Sequence, residues 1–262
     1  MPIRVLCLHG QGVNADIFQK QTEAVRQMLP SDYQFCFFNG KYECEPAPEV
    51  LDVFPPPYLT WYNTPTTRKI FDAHSQVRDI VARHGPFDAV MGFSQAPVAA
   101  SLLLHQELDG EVPKLFKAAI FIGSPVPFSY RKDVGIDART YFGVSNDPPN
   151  EHNRPVVIPS YLVTDPAYLR NAVELNDKDA CAGVQYYQMF HPTVDAVRIN
   201  LPTGHIYGSG DQWFPHSKDL AELCREDLRA VFQHDGGHEV PRGYSEELCD
   251  VIETVFSKIE KE

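Results

Sequence analysis

Positive charge is scarce in this sequence: 23 lysines and arginines stand against 35 aspartates and glutamates, a formal net charge of −12. Nucleic acid is therefore not an expected partner, because neutralising its phosphates requires a basic footprint. Cysteines are few and scattered, at 7, 36, 44, 181, 224 and 249, with no C-x-x-C pair. That spacing argues against a zinc site and a disulfide scaffold, and for buried free thiols in a reducing compartment. No apolar run approaches membrane-spanning length, so no membrane span is expected. The first residues run straight into a β-rich segment without a signal-peptide core, and a cytoplasmic location is expected. Repeats and low-complexity tracts are also missing. What remains is a 262-residue chain, 43 % hydrophobic, enough for one large α/β domain over 1–262.

The pattern alternates. Apolar β-rich runs at 3–8, 33–38, 87–91, 117–122 and 229–233 predict strands, with a further strand approach across 197–207. Helical spacing predicts helices from about 14 to 28, over 67–84 (Ile70, Ala73, Val77, Ile80 and Val81 on one face), over 217–228 and over 245–259. Such alternation implies a mostly parallel sheet covered on both faces, with its chemistry at the carboxyl ends of the strands. Two stretches break the rhythm. Residues 41–65 carry six prolines together with Phe54, Tyr58, Leu59, Trp61 and Tyr62. Residues 125–195 lose the pattern, apart from a helical stretch at 166–175. Both are expected to be lid-like insertions walling a pocket, with Tyr58, Trp61 and Tyr62 as its contacts.

The most informative stretch is Gly92-Phe-Ser94-Gln-Ala96, between the 87–91 strand and a helix. It is close to G-x-S-x-G, in which a strained turn lifts a serine off the sheet. The positions flanking such a serine must be small; Gly92 is ideal and Ala96 adds one methyl. Pro97 suits a first helical turn, where amide hydrogens have no intrahelical partners. The Gln95 amide then sits at a helix N-terminus, where it can stabilise negative charge. A serine alcohol needs a base, and the base needs an orienting group. In α/β-hydrolases the chain order is Ser, acid, His, and here Ser94, Asp211 and His238 follow in that order, each just after a strand. Asp195 and Asp219 are weaker stand-ins for the acid.

Rival chemistry is less well supported. His234 and His238 are four apart, but Gly236 and Gly237 interrupt any helix and no third ligand stands nearby, so no metal is expected. Gly10-Gln-Gly12-Val-Asn-Ala15 satisfies the dinucleotide pattern G-x-G-x-x-A after a strand. The acid that should end the second strand is missing, since that strand closes on Asn39-Gly40; no cofactor is expected. In a hydrolase the same loop supplies oxyanion donors, with the amide of Gln11 or Gly12 joining that of Gln95. His9 is read as shaping that loop, and His205 as packing. A binding protein that kept the fold without the chemistry is the alternative of a different class.

Taken together, Leu6-Cys-Leu-His-Gly10, Gly92-Phe-Ser-Gln95, His205-Ile-Tyr-Gly208 with Asp211, Leu220-Ala-Glu-Leu-Cys224 and His234-Asp-Gly-Gly-His-Glu-Val-Pro241 resemble the fungal family of small serine hydrolases, relatives of the human ovarian-cancer-associated hydrolase. The Trp61-Tyr62 pair resembles that family's aromatic segment. The resemblance spans the chain except about 130–195, and Ala96 departs from the usual glycine. It implies an α/β-hydrolase fold and a catalytic triad of Ser94, Asp211 and His238. Members include general carboxylesterases and free-standing thioesterases that release chains from polyketide synthases, by hydrolysis or by ring closure. An acyl thioester or ester is thus the expected substrate, and the acyl carrier domain of a polyketide synthase a candidate partner. The thioester preference comes from the resemblance alone; the acidic surface offers no obvious patch for a carrier.

Overall fold

Apolar β-rich runs form a six-stranded sheet: β1 (Arg4–Leu8), β2 (Gln34–Phe38), β3 (Ala89–Phe93), β4 (Ala118–Ile122), β5 (Thr203–Gly208) and β6 (Arg229–His234). The structure is a computed structural model that describes residues 2–48, 50–51, 53–95, 97–138 and 188–259. Every pairing in this sheet is parallel, in the order β6-β5-β4-β3-β1-β2. β3 and β4 are buried at every position, whereas the outer strands β2 and β6 are only partly covered.

Alternation along each strand divides the core in two. Leu6, Leu8, Val90, Ala119 and Phe121 face one side, against helices α3 (Thr67–His84), α4 (Pro97–Leu108) and α5 (Phe214–Glu222). Val5, Cys7, Met91, Phe93, Ile120 and Ile122 face the other, against α1 (Ala15–Gln21), α2 (Glu23–Met28) and α6 (Ser245–Phe256). This is the two-faced α/β arrangement that the sequence predicts. The strand order reverses between β1 and β3, and in such sheets the crevice at the reversal is where ligands bind. The loop after β1 and Ser94 after β3 both open there.

Several boundaries differ from expectation for local reasons. The helix expected over 14–28 is two helices, broken at Thr22, whose hydroxyl donates to Phe18 O at 2.9 Å. β3 runs two residues further than the apolar run suggests, delivering the chain directly into Ser94. Of the 197–207 approach, only Thr203–Gly208 is strand, while Ile199 makes a single bridge to Cys224. The helix expected at 217–228 starts earlier, with Pro215 in its first turn, and stops at Glu222. The Leu223 carbonyl and Arg225 amide are drawn off to Ile199 instead. α3 matches its predicted range: Thr66 caps it and Gly85 ends it.

The 41–65 insertion is not a free loop. Tyr42–Glu43 pairs antiparallel with Leu59–Thr60, and Leu59 bridges Val13 in the loop after β1. A small apolar cluster of Val13, Ile17, Val50, Ala47, Phe54 and Tyr58 holds the strap down. Of the 125–195 insertion, the described part forms a small antiparallel sheet of Phe128–Ser129, Gln188–Met189 and Ile136–Asp137. The helix expected at 166–175 lies outside the described residues.

Candidate active site

Ser94 sits where β3 hands over to α4, with φ of +54°. Left-handed backbone costs a side-chain-bearing residue about 1–2 kcal/mol, so the fold has to hold it there. The Ser94 amide donates to Ile122 O at 2.9 Å on the neighbouring strand. The loop after β1 passes so close that a Cβ on Gly10 would lie 2.9 Å from the Ser94 Cβ. Only glycine permits that approach. On the other side Gly123, at φ +51°, would bring a Cβ to 3.3 Å from the His238 ring.

The partners come from the ends of the last two strands of the sheet. After β5, Asp211 Oδ1 accepts from the Trp213 amide at 2.7 Å, an Asx turn that fixes the carboxylate before α5 begins. After β6, the chain returns alongside: Ser209 N donates to His234 O at 2.8 Å and Gly210 N to Gly236 O at 3.0 Å. This zipper sets the two loops in register. His238 Nδ1 then lies 2.8 Å from Asp211 Oδ2, and His238 Nε2 lies 2.9 Å from Ser94 Oγ. The imidazole leans on the Phe93 ring, with centroids 5.0 Å apart. The Asp211 carboxylate is wholly buried, whereas the His238 side chain keeps 24 % of its surface. Ser94 and His238 open together into a cavity of about 550 Å³. The strap lines it with Ala47, Val50, Val53 and Phe54, and the segment after β6 lines it with Asp235, Val240, Pro241, Arg242 and Tyr244.

The structure brings Ser94, Asp211 and His238 together and sorts the other residues that the sequence singled out. Gln95 is buried beside Ser94. Gln11 lines the cavity, and among the described residues its amide donates to no carbonyl. Gly12 does not fit the oxyanion role expected for it: its amide donates to Leu59 O at 3.1 Å as part of the strap's bridge. The aromatic contacts need correction too. Trp61 is fully buried and Tyr62 is 7 % exposed. Trp61 Nε1 donates to His9 O at 3.0 Å, and the Tyr62 ring meets Phe128 edge-on. Tyr58 is a partly buried member of the strap's own apolar cluster, its hydroxyl donating to Phe54 O at 2.7 Å. None of the three lines the cavity; Val50, Val53 and Phe54 take that place. Aromatic rings in a proline-rich stretch read as a wall, but here they anchor the wall from behind.

The rival carboxylates have other partners. Asp195 accepts from the amides of His191 and Gly135, both at 2.8 Å, and ties a turn to the small sheet. Asp219 lies 3.1 Å from His191 Nε2. His9 is buried, accepts from Gly40 N through Nε2 at 2.8 Å and contacts Gly10 O through Nδ1. Burial pushes it down to about 4, so it is a neutral brace for the loop. His205, packed on Phe121, is lowered by burial to about 3. His234 accepts from Gly236 N at 3.1 Å. Among the described residues no group of three or more His, Cys, Asp or Glu is arranged to hold a metal. The dinucleotide reading of the 10–15 loop fails on the chain's own bonds: Asn14 and Asn39 side chains already accept from the Ile17 and Ala15 amides, where a pyrophosphate would sit.

Two features had no sequence signal strong enough to find them. The segment after His238 lines the cavity and includes a short 3-10 turn at Arg242–Tyr244. The Gln95 side chain reaches across to the strap.

The model of a family described as "Serine hydrolase (FSH1)" matches residues 1–247. "Hydrolase FUB4" of Gibberella moniliformis is 29 % identical, with 97 % of this chain and 99 % of that protein covered. "Probable esterase tazC" of Aspergillus terreus is 31 % identical, covering 91 % and 85 %. Among solved structures, the type II thioesterase BorB from the borrelidin biosynthetic cluster superposes with a TM-score of 0.51 at 15 % identity, covering 98 % of this chain and 92 % of that one. An alpha/beta hydrolase fold protein from Chitinophaga pinensis gives 0.52 at 13 %, covering 99 % and 90 %. These structural likenesses carry the fold, which is that of the α/β-hydrolases.

Proposed function

The chain belongs to the serine hydrolase (FSH1) family, and from that premise we propose that Ser94, His238 and Asp211 are its catalytic triad and that it releases an acyl chain, of polyketide type, from a thioester. The supporting observation is the unbroken run of contacts from Asp211 Oδ2 through His238 to Ser94 Oγ, at 2.8 and 2.9 Å, on a strained turn facing a cavity.

His238 Nε2 takes the hydroxyl proton as Ser94 Oγ attacks the acyl carbon. Asp211, buried against Nδ1–H, holds the ring in the right tautomer and offsets the imidazolium that forms. The amides of Gln95 and Gln11 receive the oxyanion; losing one such donor costs about 3–4 kcal/mol of transition-state stabilisation. Collapse breaks the carbon–sulfur bond, and His238 returns the proton to the leaving thiolate. His238 then deprotonates water, or a hydroxyl on the chain itself, which attacks the acyl–Ser94 ester. A lining that is apolar along the strap and mixed along the segment after β6 suits an acyl chain that carries some oxygen. The strap at 41–65 acts as its lid, and the acyl carrier domain of a polyketide synthase is the candidate donor.

The esterase name of the Aspergillus terreus relative favours a second reading, a general carboxylesterase acting on oxygen esters. Matched thioesters and oxygen esters, each with and without a remote hydroxyl, separate the two. Faster thioester turnover supports release from a carrier, and a lactone in the product mass spectrum supports ring closure. Oxygen esters turning over far faster than every matched thioester would replace this reading with the carboxylesterase.

A further inference from the structure

The residue after Ser94 does more than offer its amide. The Gln95 side chain is buried and points away from the cavity into the strap. Its Oε1 accepts from the Trp61 amide at 2.8 Å, and its Nε2 donates to Tyr62 O at 2.7 Å. The Thr60 hydroxyl lies 2.7 Å from the same Oε1. A side-chain amide thus pairs with the strap as a peptide unit would. The strap passes this anchorage on. Leu59 N donates to Val13 O at 2.8 Å and Leu59 O accepts from Gly12 N at 3.1 Å; Gly12 O in turn accepts from Ala47 N at 2.9 Å. Trp61 Nε1 holds His9 O. The loop carrying Gln11 is therefore fastened on both sides to a segment that is itself fastened to Gln95.

We infer that Gln95 is a positioning residue whose side chain sets the distance between the two halves of the oxyanion hole, its own amide and that of Gln11, and docks the apolar cavity wall onto the nucleophile turn. This rests on the acyl-transfer reading above. An uncoupled strap would leave Ser94, His238 and Asp211 in place but let the loop after β1 drift. A misplacement of about 1 Å lowers rate by about 10²-fold while substrate contacts persist.

The test uses the whole protein. Gln95→Met keeps the length and apolar bulk and removes both hydrogen-bonding arms. Its kcat on a short ester should fall about 10²-fold with KM nearly unchanged, and affinity for a boronic acid transition-state analogue should fall in parallel. A kcat near wild type, or a loss confined to KM, overturns the inference. Gln95→Glu gives an independent reading. Burial raises its carboxyl pKa; protonated, it can donate to Tyr62 O, and ionised it cannot. An alkaline limb absent from wild type is expected in its pH profile, and a wild-type profile contradicts the proposal. Hydrogen exchange reads the coupling even without turnover: the Trp61 and Gly12 amides should both exchange faster in Gln95→Met. Acceleration at Trp61 with Gly12 still protected would break the chain of anchorage. A wild type that neither turns over esters nor depends on Ser94 sinks the catalytic reading instead, and the exchange result keeps the two failures apart.

Discussion

Among the described residues there are two hydroxyl–imidazole–carboxylate trios, and one of them lines the cavity that holds Ser94. In the first, His238 meets Asp211 through Nδ1 and Ser94 Oγ through Nε2. In the second the nitrogens are exchanged: His191 meets Asp219 through Nε2 at 3.1 Å and Thr193 Oγ1 through Nδ1 at 2.7 Å. Distances barely separate them. Burial does: the His238 side chain is 24 % exposed over a buried carboxylate, whereas the His191 side chain is 3 % exposed beside a carboxylate at 19 %. Backbone separates them further. Ser94 comes from a strained turn 144 residues from its histidine, whereas Thr193 is two residues from its own and outside the cavity that holds Ser94. The Thr193 amide also contacts the same ring nitrogen. A relay of hydrogen bonds is thus no more than a turn lock until a strand end lifts the hydroxyl into space that a substrate can enter.

Removing the hydroxyl or the base of each trio should give the largest contrast. Ser94→Ala or His238→Gln should lower kcat by about 10⁶-fold, as loss of one member of a working triad does elsewhere. His191→Gln should leave ester turnover near wild type in steady-state assays. Equal losses would erase the distinction. Next come the carboxylates: Asp211→Asn should cost about 10⁴-fold in kcat through the wrong tautomer, and Asp219→Asn should not follow it.

The same contrast between cavity and core separates Trp61 from Phe54. Trp61→Ala should destabilise by about 3–5 kcal/mol, read from urea unfolding, because it empties a fully buried site. Phe54→Ala should instead shift chain-length preference, since each methylene against that wall contributes about 0.8 kcal/mol, about fourfold in kcat/KM.

Core histidines give a smaller, pH-dependent effect. Burial holds His9 and His105 at about 4 and His205 at about 3. The unfolded chain takes up these protons near pH 6.5 and the folded chain only near 3–4, so their stabilisation is complete above 6.5 and is lost as pH falls to about 4 for His9 and His105 and about 3 for His205. Each contributes a slope of at most about 1.4 kcal/mol per pH unit. Urea midpoints measured across that window should fall with pH, and less steeply in His205→Asn.

The sequence made the parts of the site near strand ends readable. Ser94, Asp211 and His238 each follow an apolar run inside a small-residue turn, and that pattern is local. α3 was legible from Thr66 to Gly85 because cap and stop are neighbours of the helix they bound. What escaped depends on pairing over distance. Gly12 looks like a donor until Leu59, 47 residues on, takes its amide. Trp61 and Tyr62 look like a pocket wall until Gln95 draws their backbone inward. The His191–Asp219 pair spans a turn and a helix with no motif to announce it.

The most direct test is covalent. A fluorophosphonate should react with wild type at one serine, and peptide mass mapping should place the adduct on Ser94, with no adduct on Ser94→Ala and full labelling of His191→Gln. Equal labelling of Ser94→Ala, or an adduct mapped to another hydroxyl, would contradict the account.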